Sequence, residues 1–177
     1  MENLMFINDQ DRHESFTQTL NDASGLIFIS GISMGNIFKY SLDLIEDKLK
    51  AGAQIRFLMA DYRWVANNIE MFRWLNTDAE RKAFIDECYD STALLLRLAN
   101  TYDKVSYAVY TEPIPYIMTG YINNSQQFRE VQVEVVDYFP GNQQLRMLIN
   151  DSNDPYYFDL IYSKFVTYFN HYYVDER

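Results

Sequence analysis

The sequence predicts a single α/β domain built on a mixed sheet of about six strands, with helices on both faces. Two continuous apolar runs, residues 26–30 and 55–61, flank a helical pattern, which is typical of parallel strands joined by a right-handed crossover. Residues 104–110 and 131–136 instead alternate with period two, which indicates half-buried strands. A chain of 177 residues suits one hydrophobic core, so we expect one domain over residues 1–177.

Two helical patterns lie on either side of the first apolar run. Phe16 and Leu20 are four residues apart among polar residues, so residues 11–22 are expected to form a short amphipathic helix. The second helix covers about residues 36–51, because its charged and apolar side chains fall on opposite sides. Gly52 is its stop signal.

Two more helices follow the second apolar run. Apolar residues spaced by three and four predict a covering helix over residues 65–75. Thr77 and Glu80 then match a capping box, in which the two residues satisfy each other's free backbone donors at a helix start. We therefore expect a long helix to begin there and to extend to about Asn100.

The second half of the chain supplies the remaining strands and the last helix. A Pro-Ile-Pro break at residues 113–115 separates the first alternating strand from another at 116–122, since proline cannot donate to a strand ladder. A short strand at 145–149 comes later. Pro155 then opens a helix with a strongly apolar seam, which predicts that this helix lies flat on the sheet or on a partner chain.

The charge balance bears on partners and location. The chain has 25 Asp and Glu against 15 Lys and Arg, for a net charge of -10, which repels polyphosphate and anionic lipid. Nucleic acid and membranes are therefore not the expected partners. The single cysteine, Cys88, cannot form an internal disulfide, so a reducing cytoplasm fits best. No Cys/His pair has metal-ligand spacing and no nucleotide-binding glycine motif is present, so we expect no metal and no cofactor.

One motif carries possible chemistry, the sequence Gly-Ile-Ser-Met-Gly at residues 31–35. It matches the G-x-S-x-G nucleophile elbow and follows a buried strand, which would make Ser33 a nucleophile with His171 as its base. Candidates for the acid include Asp137, Asp151 and Asp154. However, only about 25 residues precede the strand, whereas hydrolases of this type place several strands and the oxyanion loop before the elbow. We therefore expect a protein without catalytic activity and keep a small serine hydrolase as the alternative.

The same turn also suits a ligand. It lies where parallel strands end, and backbone amides at a helix start bind anions. Asp61 ends the neighbouring strand. It would either contact a ligand or cap the helix that follows, and the sequence favours neither role over the other. Tyrosines near the Pro-Ile-Pro break would stack on a flat ligand or simply pack. The expected ligand-contacting residues are Ser30, Gly31, Ser33, Gly35, Asn36, Asp61, Tyr107 and Tyr116.

The order of elements and three segments, residues 25–31, 55–61 and 156–158, resemble one half of the phospholipase D-like fold. Active members of that superfamily carry H-x-K-x-x-x-x-D with a nucleophilic histidine. The corresponding region, residues 110–121, contains neither histidine nor lysine, and the pattern is not rebuilt around His13 or His171. The resemblance therefore implies a degenerate member without phosphodiesterase activity.

This resemblance leads to one expected function. The chain would be a non-catalytic binding or regulatory domain, a sensor of a small polar or anionic ligand or of a partner protein. Phospholipase D-like halves usually pair, so a homodimer is expected as well. The sequence does not specify the ligand, the partner or the pathway.

Overall fold

The fold is a seven-stranded mixed sheet covered by helices on both faces, seen in a computed structural model that describes residues 4–6, 9–125, 128–135, 145–150 and 155–173. In chain order its strands and helices are β1 (Leu4–Phe6), α1 (Asp9–Asp22), β2 (Leu26–Gly31), α2 (Gly35–Lys50), β3 (Gln54–Ala60), α3 (Tyr62–Asn67), α4 (Asp78–Thr101), β4 (Val105–Tyr110), β5 (Tyr116–Ile122), β6 (Arg129–Val135), β7 (Leu145–Asn150) and α5 (Pro155–Tyr172). The predicted α/β class and mixed sheet are confirmed.

The strand order across the sheet is β1-β7-β6-β5-β2-β3-β4. Strands β2, β3 and β4 are parallel, and the remaining pairs are antiparallel. Where the sequence predicts about six strands, the described residues form seven. The additional strand is β1, which pairs with β7 over only three residues and therefore lacks a periodic sequence signal.

Local signals explain where several helices begin and end. Thr77 accepts a hydrogen bond from the Glu80 amide, and the Glu80 carboxylate accepts one from the Thr77 amide, so the predicted capping box at the start of α4 is confirmed. After α2, Gly52 adopts a φ of 100°, a left-handed conformation in which glycine is favoured.

The predicted helix over residues 65–75 is wrong. The chain instead forms the short helix α3 and a separate 3-10 turn, Ile69–Met71. Helix α3 begins early because Asp61 caps it, and it ends before Asn68, whose φ of -122° is not helical. The Asn68 side-chain amide donates to the Trp64 carbonyl at 2.8 Å, a local bond that competes with continuing the helix.

Two apolar cores lie on the two faces of the sheet. The first core joins Phe28 to α5, whose Phe165 ring lies 5.1 Å from the Phe28 ring between centroids. The second core joins Ile27 and Ile29 to α1 and α2. Helix α5 therefore lies on the sheet as its apolar seam predicts. Among the described residues, no helix is both long and apolar enough to cross a membrane.

Candidate functional site

The Gly-Ile-Ser-Met-Gly turn connects β2 to α2 and is held against helix α4. The Ser33 hydroxyl donates a short hydrogen bond to the Glu87 carboxylate and accepts one from the Gly35 amide at 3.5 Å. The residue in the left-handed region is Met34, with φ 55° and ψ 7°, and neither glycine of the motif is left-handed. Gly35 is needed for another reason: a Cβ atom there would collide with the Glu87 side chain.

The structure does not bring His171 to Ser33. Glu87 and the Gly35 amide are the hydrogen-bond partners of Ser33 among the described residues. His171 is exposed on the last turn of α5, where its ring contacts the Tyr172 ring edge-on at 4.6 Å. The candidate acids Asp137, Asp151 and Asp154 lie outside the described residues. The serine-hydrolase alternative is therefore not supported, because Ser33 is hydrogen-bonded to Glu87 and not to its expected base, His171.

The neighbouring polar groups of the expected ligand site are engaged within the protein. The Asp61 carboxylate accepts hydrogen bonds from the Arg63 amide at 2.7 Å and the Trp64 amide at 3.0 Å, so it caps helix α3. The buried Ser30 hydroxyl accepts from the Met118 amide at 2.7 Å. The Gly31 carbonyl accepts from the Tyr110 hydroxyl at 3.2 Å.

The other expected ligand residues are spread over the molecule. Asn36 is exposed at the start of α2, and Tyr116 is 37% exposed at the start of β5. Tyr107 pairs with Phe57 in the middle of β3 and packs against the second core, so β3 separates it from the Ser33 turn. Ligand contact by this set of residues stays a prediction.

A cleft of about 460 Å³ lies beside the Ser33 turn, between the first turns of α2 and the middle of α4. We call it the α2–α4 cleft. Its lining includes Asp86, Glu87 and Asp90, with Phe38 and Leu94 as apolar residues and Ser91 as a polar one. The sequence places Asp86 and Glu87 on a solvated helix face, and no local pattern signals that Glu87 reaches a serine 54 residues away.

Cys88, next to Glu87, is not a nucleophile in this arrangement. It is buried, and burial, with a smaller contribution from the Glu87 charge, raises the pKa of its thiol to about 12. A thiol with such a pKa is protonated near neutral pH and is therefore inert.

A second surface with distinctive chemistry is the exposed stripe of helix α5. We call it the α5 outer face; it consists of Tyr156, Leu160, Ser163, Lys164, Thr167, Asn170 and His171. It contains one lysine and no acidic residue. Asp159, which lies beside it, is paired with Arg129 at 2.7 Å. On a chain with a net charge of -10, these seven residues carry no negative charge, although the neighbouring Asp159 is itself exposed.

No protein-family model matches the chain, and no curated protein matches it. Among solved structures, the chain is similar to TrmBL2, described as an archaeal chromatin protein that shows a novel mode of DNA binding. The identity is 15% and the TM-score is 0.59. The match covers 98% of this chain and 54% of the TrmBL2 chain, so this chain spans about half the length of that protein. At this identity the likeness shows a shared fold.

The comparisons overturn the phospholipase D-like assignment, since no family model matches and the similar structure is that of a DNA-binding chromatin protein. The assignment depends on the order of elements and on short apolar runs, which different α/β domains share. The expected phospholipase D-like sensor domain and its degenerate active site are therefore wrong. The homodimer expectation, which drew on the same resemblance, is not tested by the comparisons and stays a prediction.

The expectation that nucleic acid is not a partner is also contradicted, because the similar structure binds DNA. That expectation was based on the net charge of the whole chain, which averages over all surfaces. The net charge of a chain does not give the local charge of one surface, such as the α5 outer face.

Proposed function

We propose that this chain is the α/β domain of a DNA-associated protein and that its α5 outer face lies against the DNA backbone. The observation that carries the proposal is the likeness, over 98% of the chain, to a chromatin protein with a solved mode of DNA binding. This likeness supports a nucleic-acid partner, and the properties of the α5 outer face support the choice of surface.

The α5 outer face offers the groups that bind phosphate oxygens. Lys164 supplies a cation, and Tyr156, Asn170 and His171 supply hydrogen-bond donors, side chains of the kind that make backbone contacts in protein–DNA complexes. Tyr156 is 71% exposed, so its hydroxyl is accessible. Asp159, which lies beside this face, is paired with Arg129, and the pairing lowers the local repulsion of phosphate.

The acidic remainder of the chain sets the orientation and strength of binding. Helix α2 and the second core lie on the opposite face of the sheet from α5, so DNA on α5 keeps the sheet between itself and the α2 side. With one lysine on the contact surface and a net charge of -10, we expect weak binding. Because each phosphate contact contributes about one unit to the salt dependence, the slope should be small, about -1 to -2.

The test is a fluorescence-anisotropy titration of a labelled DNA duplex at low ionic strength and at increasing KCl. Lys164→Glu on α5 should weaken binding about tenfold and lower the salt slope by about one. Lys82→Glu on α4 is the matched control, because Lys82 is also exposed and the substitution changes net charge equally. Equal loss in both variants, or no binding by the wild type at low salt, would overturn the proposal.

A cytoplasmic location belongs to the same proposal. It depends on the single cysteine, Cys88, and on the proposed DNA partner. Tagged protein that fractionates with the chromosome, and that no longer does so after DNase treatment, would support this location.

A further inference from the structure

Helix α4 has an exposed side that carries both apolar and charged residues. We call its central part the α4 outer face; it consists of Asp86, Tyr89, Asp90, Ala93, Leu96 and Arg97, all of which are exposed. Its two large apolar side chains are 55% exposed at Tyr89 and 41% exposed at Leu96. They are seven residues apart, about two turns, so they form an apolar ridge along one border of the face. Such a ridge suits packing against another helix.

The charged residues of this face have opposite signs but do not pair within the chain. Asp86 and Asp90 are four residues apart, a spacing at which like charges on a helix repel each other. Arg97 lies on the same side of α4, because the eleven residues after Asp86 complete about three turns. It is about 10 Å beyond Asp90 along the helix axis, too far to pair with it. None of the three side chains forms an ion pair with another residue in the part of the chain that the structure describes.

The α4 outer face is complementary to a second copy of itself in the antiparallel direction. In a two-fold pair of antiparallel helices, each border of a face meets the same border of the partner. When the two-fold axis passes beside Ala93, Tyr89 of one copy faces Leu96 of the other. In that same register Arg97 of one copy lies midway along the axis between the two aspartates of the other. The small side chain of Ala93 lies at the crossing point, where it lets the helices approach closely. A single register therefore matches both the charges and the apolar ridge.

We propose that the α4 outer face is the interface of a homodimer in which the α4 helices of two copies pack antiparallel. The two Arg97 side chains pair with the aspartates of the opposite copy, and Tyr89 and Leu96 form the apolar part of the contact. An interface of one helix from each copy is small, so we expect a reversible dimer with a Kd of about 10 µM. This face shares no residue with the α5 outer face, and the inference does not depend on the proposed function.

The test is sedimentation velocity of the full chain at low salt over a wide range of protein concentration. Arg97→Asp should raise the Kd more than about tenfold, because it places like charges opposite each other. The double variant Asp86→Lys/Asp90→Lys should do the same. An equimolar mixture of the two variants should dimerise again, since each supplies the charge that the other now needs, and this recovery shows that both are folded. Lys164→Asp on α5 is the matched control: it makes the same change of charge on another exposed surface and should leave the dimer intact.

Crosslinking tests the direction of the pairing. Ala93→Cys should join two copies through a short bismaleimide, because the two residues meet at the axis. Ala83→Cys, also exposed on α4, should not, because antiparallel pairing puts the two copies of that residue about 28 Å apart. The native Cys88 is buried with a raised thiol pKa, so it does not compete.

Four outcomes would overturn the proposal. A wild type that stays monomeric at about 100 µM, well above the expected Kd, would exclude the dimer. Equal weakening by Lys164→Asp would mean that association responds to net charge and not to the α4 outer face. Failure of the mixed charge variants to associate would exclude the pairing of Arg97 with the aspartates. Equally efficient crosslinking through Ala83→Cys would exclude the antiparallel register.

Discussion

The Ser33 hydroxyl donates a hydrogen bond to the Glu87 carboxylate, although the two residues are 54 positions apart in the sequence. This bond ties the turn after β2 to the middle of α4. It also gives the serine of the hydrolase-like motif a structural role, because its hydroxyl holds the turn against α4.

Removing the Ser33 hydroxyl should therefore destabilise the fold. Ser33→Ala loses a hydrogen bond to a charged group and leaves the Glu87 carboxylate without that partner, so we expect the free energy of unfolding to fall by about 1–2 kcal/mol. Urea denaturation followed by circular dichroism measures it. Ser163→Ala on the exposed side of α5 is the control and should change stability by less than about 0.5 kcal/mol. Equal stability of the two variants would show that the Ser33–Glu87 bond contributes nothing.

Gly35→Ala should also destabilise the protein, although alanine favours helices over glycine. A Cβ atom at position 35 would collide with the Glu87 side chain and displace it from Ser33, at a cost of about 1–2 kcal/mol. In the Glu87→Ala background the same substitution should be neutral or stabilising. A double-mutant cycle measures the coupling, which should reach about 1 kcal/mol, and strictly additive effects would contradict this explanation.

These contacts show which features the sequence could predict. Thr77 and Glu80 are three residues apart, and Gly52 directly follows a helix, so both signals are local and both are confirmed. The Ser33–Glu87 bond instead depends on how α4 packs beside the β2–α2 turn. No residue pattern encodes such a tertiary contact, so the sequence leaves Glu87 as a solvated side chain.

The sheet contains a second long-range contact that the sequence does not predict. The Gln132 side-chain amide donates to the Thr19 hydroxyl at 2.5 Å across 113 residues, beneath helix α1. The alternation in β6 predicts a half-buried strand with a polar face. It does not reveal that a helix covers this face, because the cover comes from the other end of the chain.

The capping box should give stability that is lost in acid. Hydrogen bonds from the Thr77 and Asn76 amides hold the pKa of the Glu80 carboxyl below its ordinary value of 4.5. The folded state therefore favours the ionised carboxylate. The contribution of Glu80 to stability is present above the ordinary pKa and is lost as pH falls through the lowered pKa of the folded state. Thermal melts of Glu80→Gln should show a smaller drop in Tm between neutral and acid pH than the wild type. An unchanged drop would exclude this role of Glu80.

Glu130 should behave in the opposite sense. Burial raises the pKa of its carboxyl, the nearby Asp22 charge adds to the increase, and a hydrogen bond from Thr19 at 3.1 Å opposes it. The folded state therefore favours the protonated form, so the contribution of Glu130 to stability is present below the ordinary pKa of 4.5 and is lost as pH rises through the raised value.

Glu130→Gln should consequently raise Tm at neutral pH, because it removes the buried charge and keeps an oxygen that accepts from Thr19. The gain should shrink as pH falls, since the wild-type carboxyl then becomes neutral as well. Melting curves across this range measure the difference between variant and wild type. Glu80→Gln provides the matched comparison: the same chemical change should lower Tm at neutral pH. If Glu130→Gln lowers Tm there too, the ionised Glu130 carboxylate stabilises the folded protein and burial is not its dominant environment.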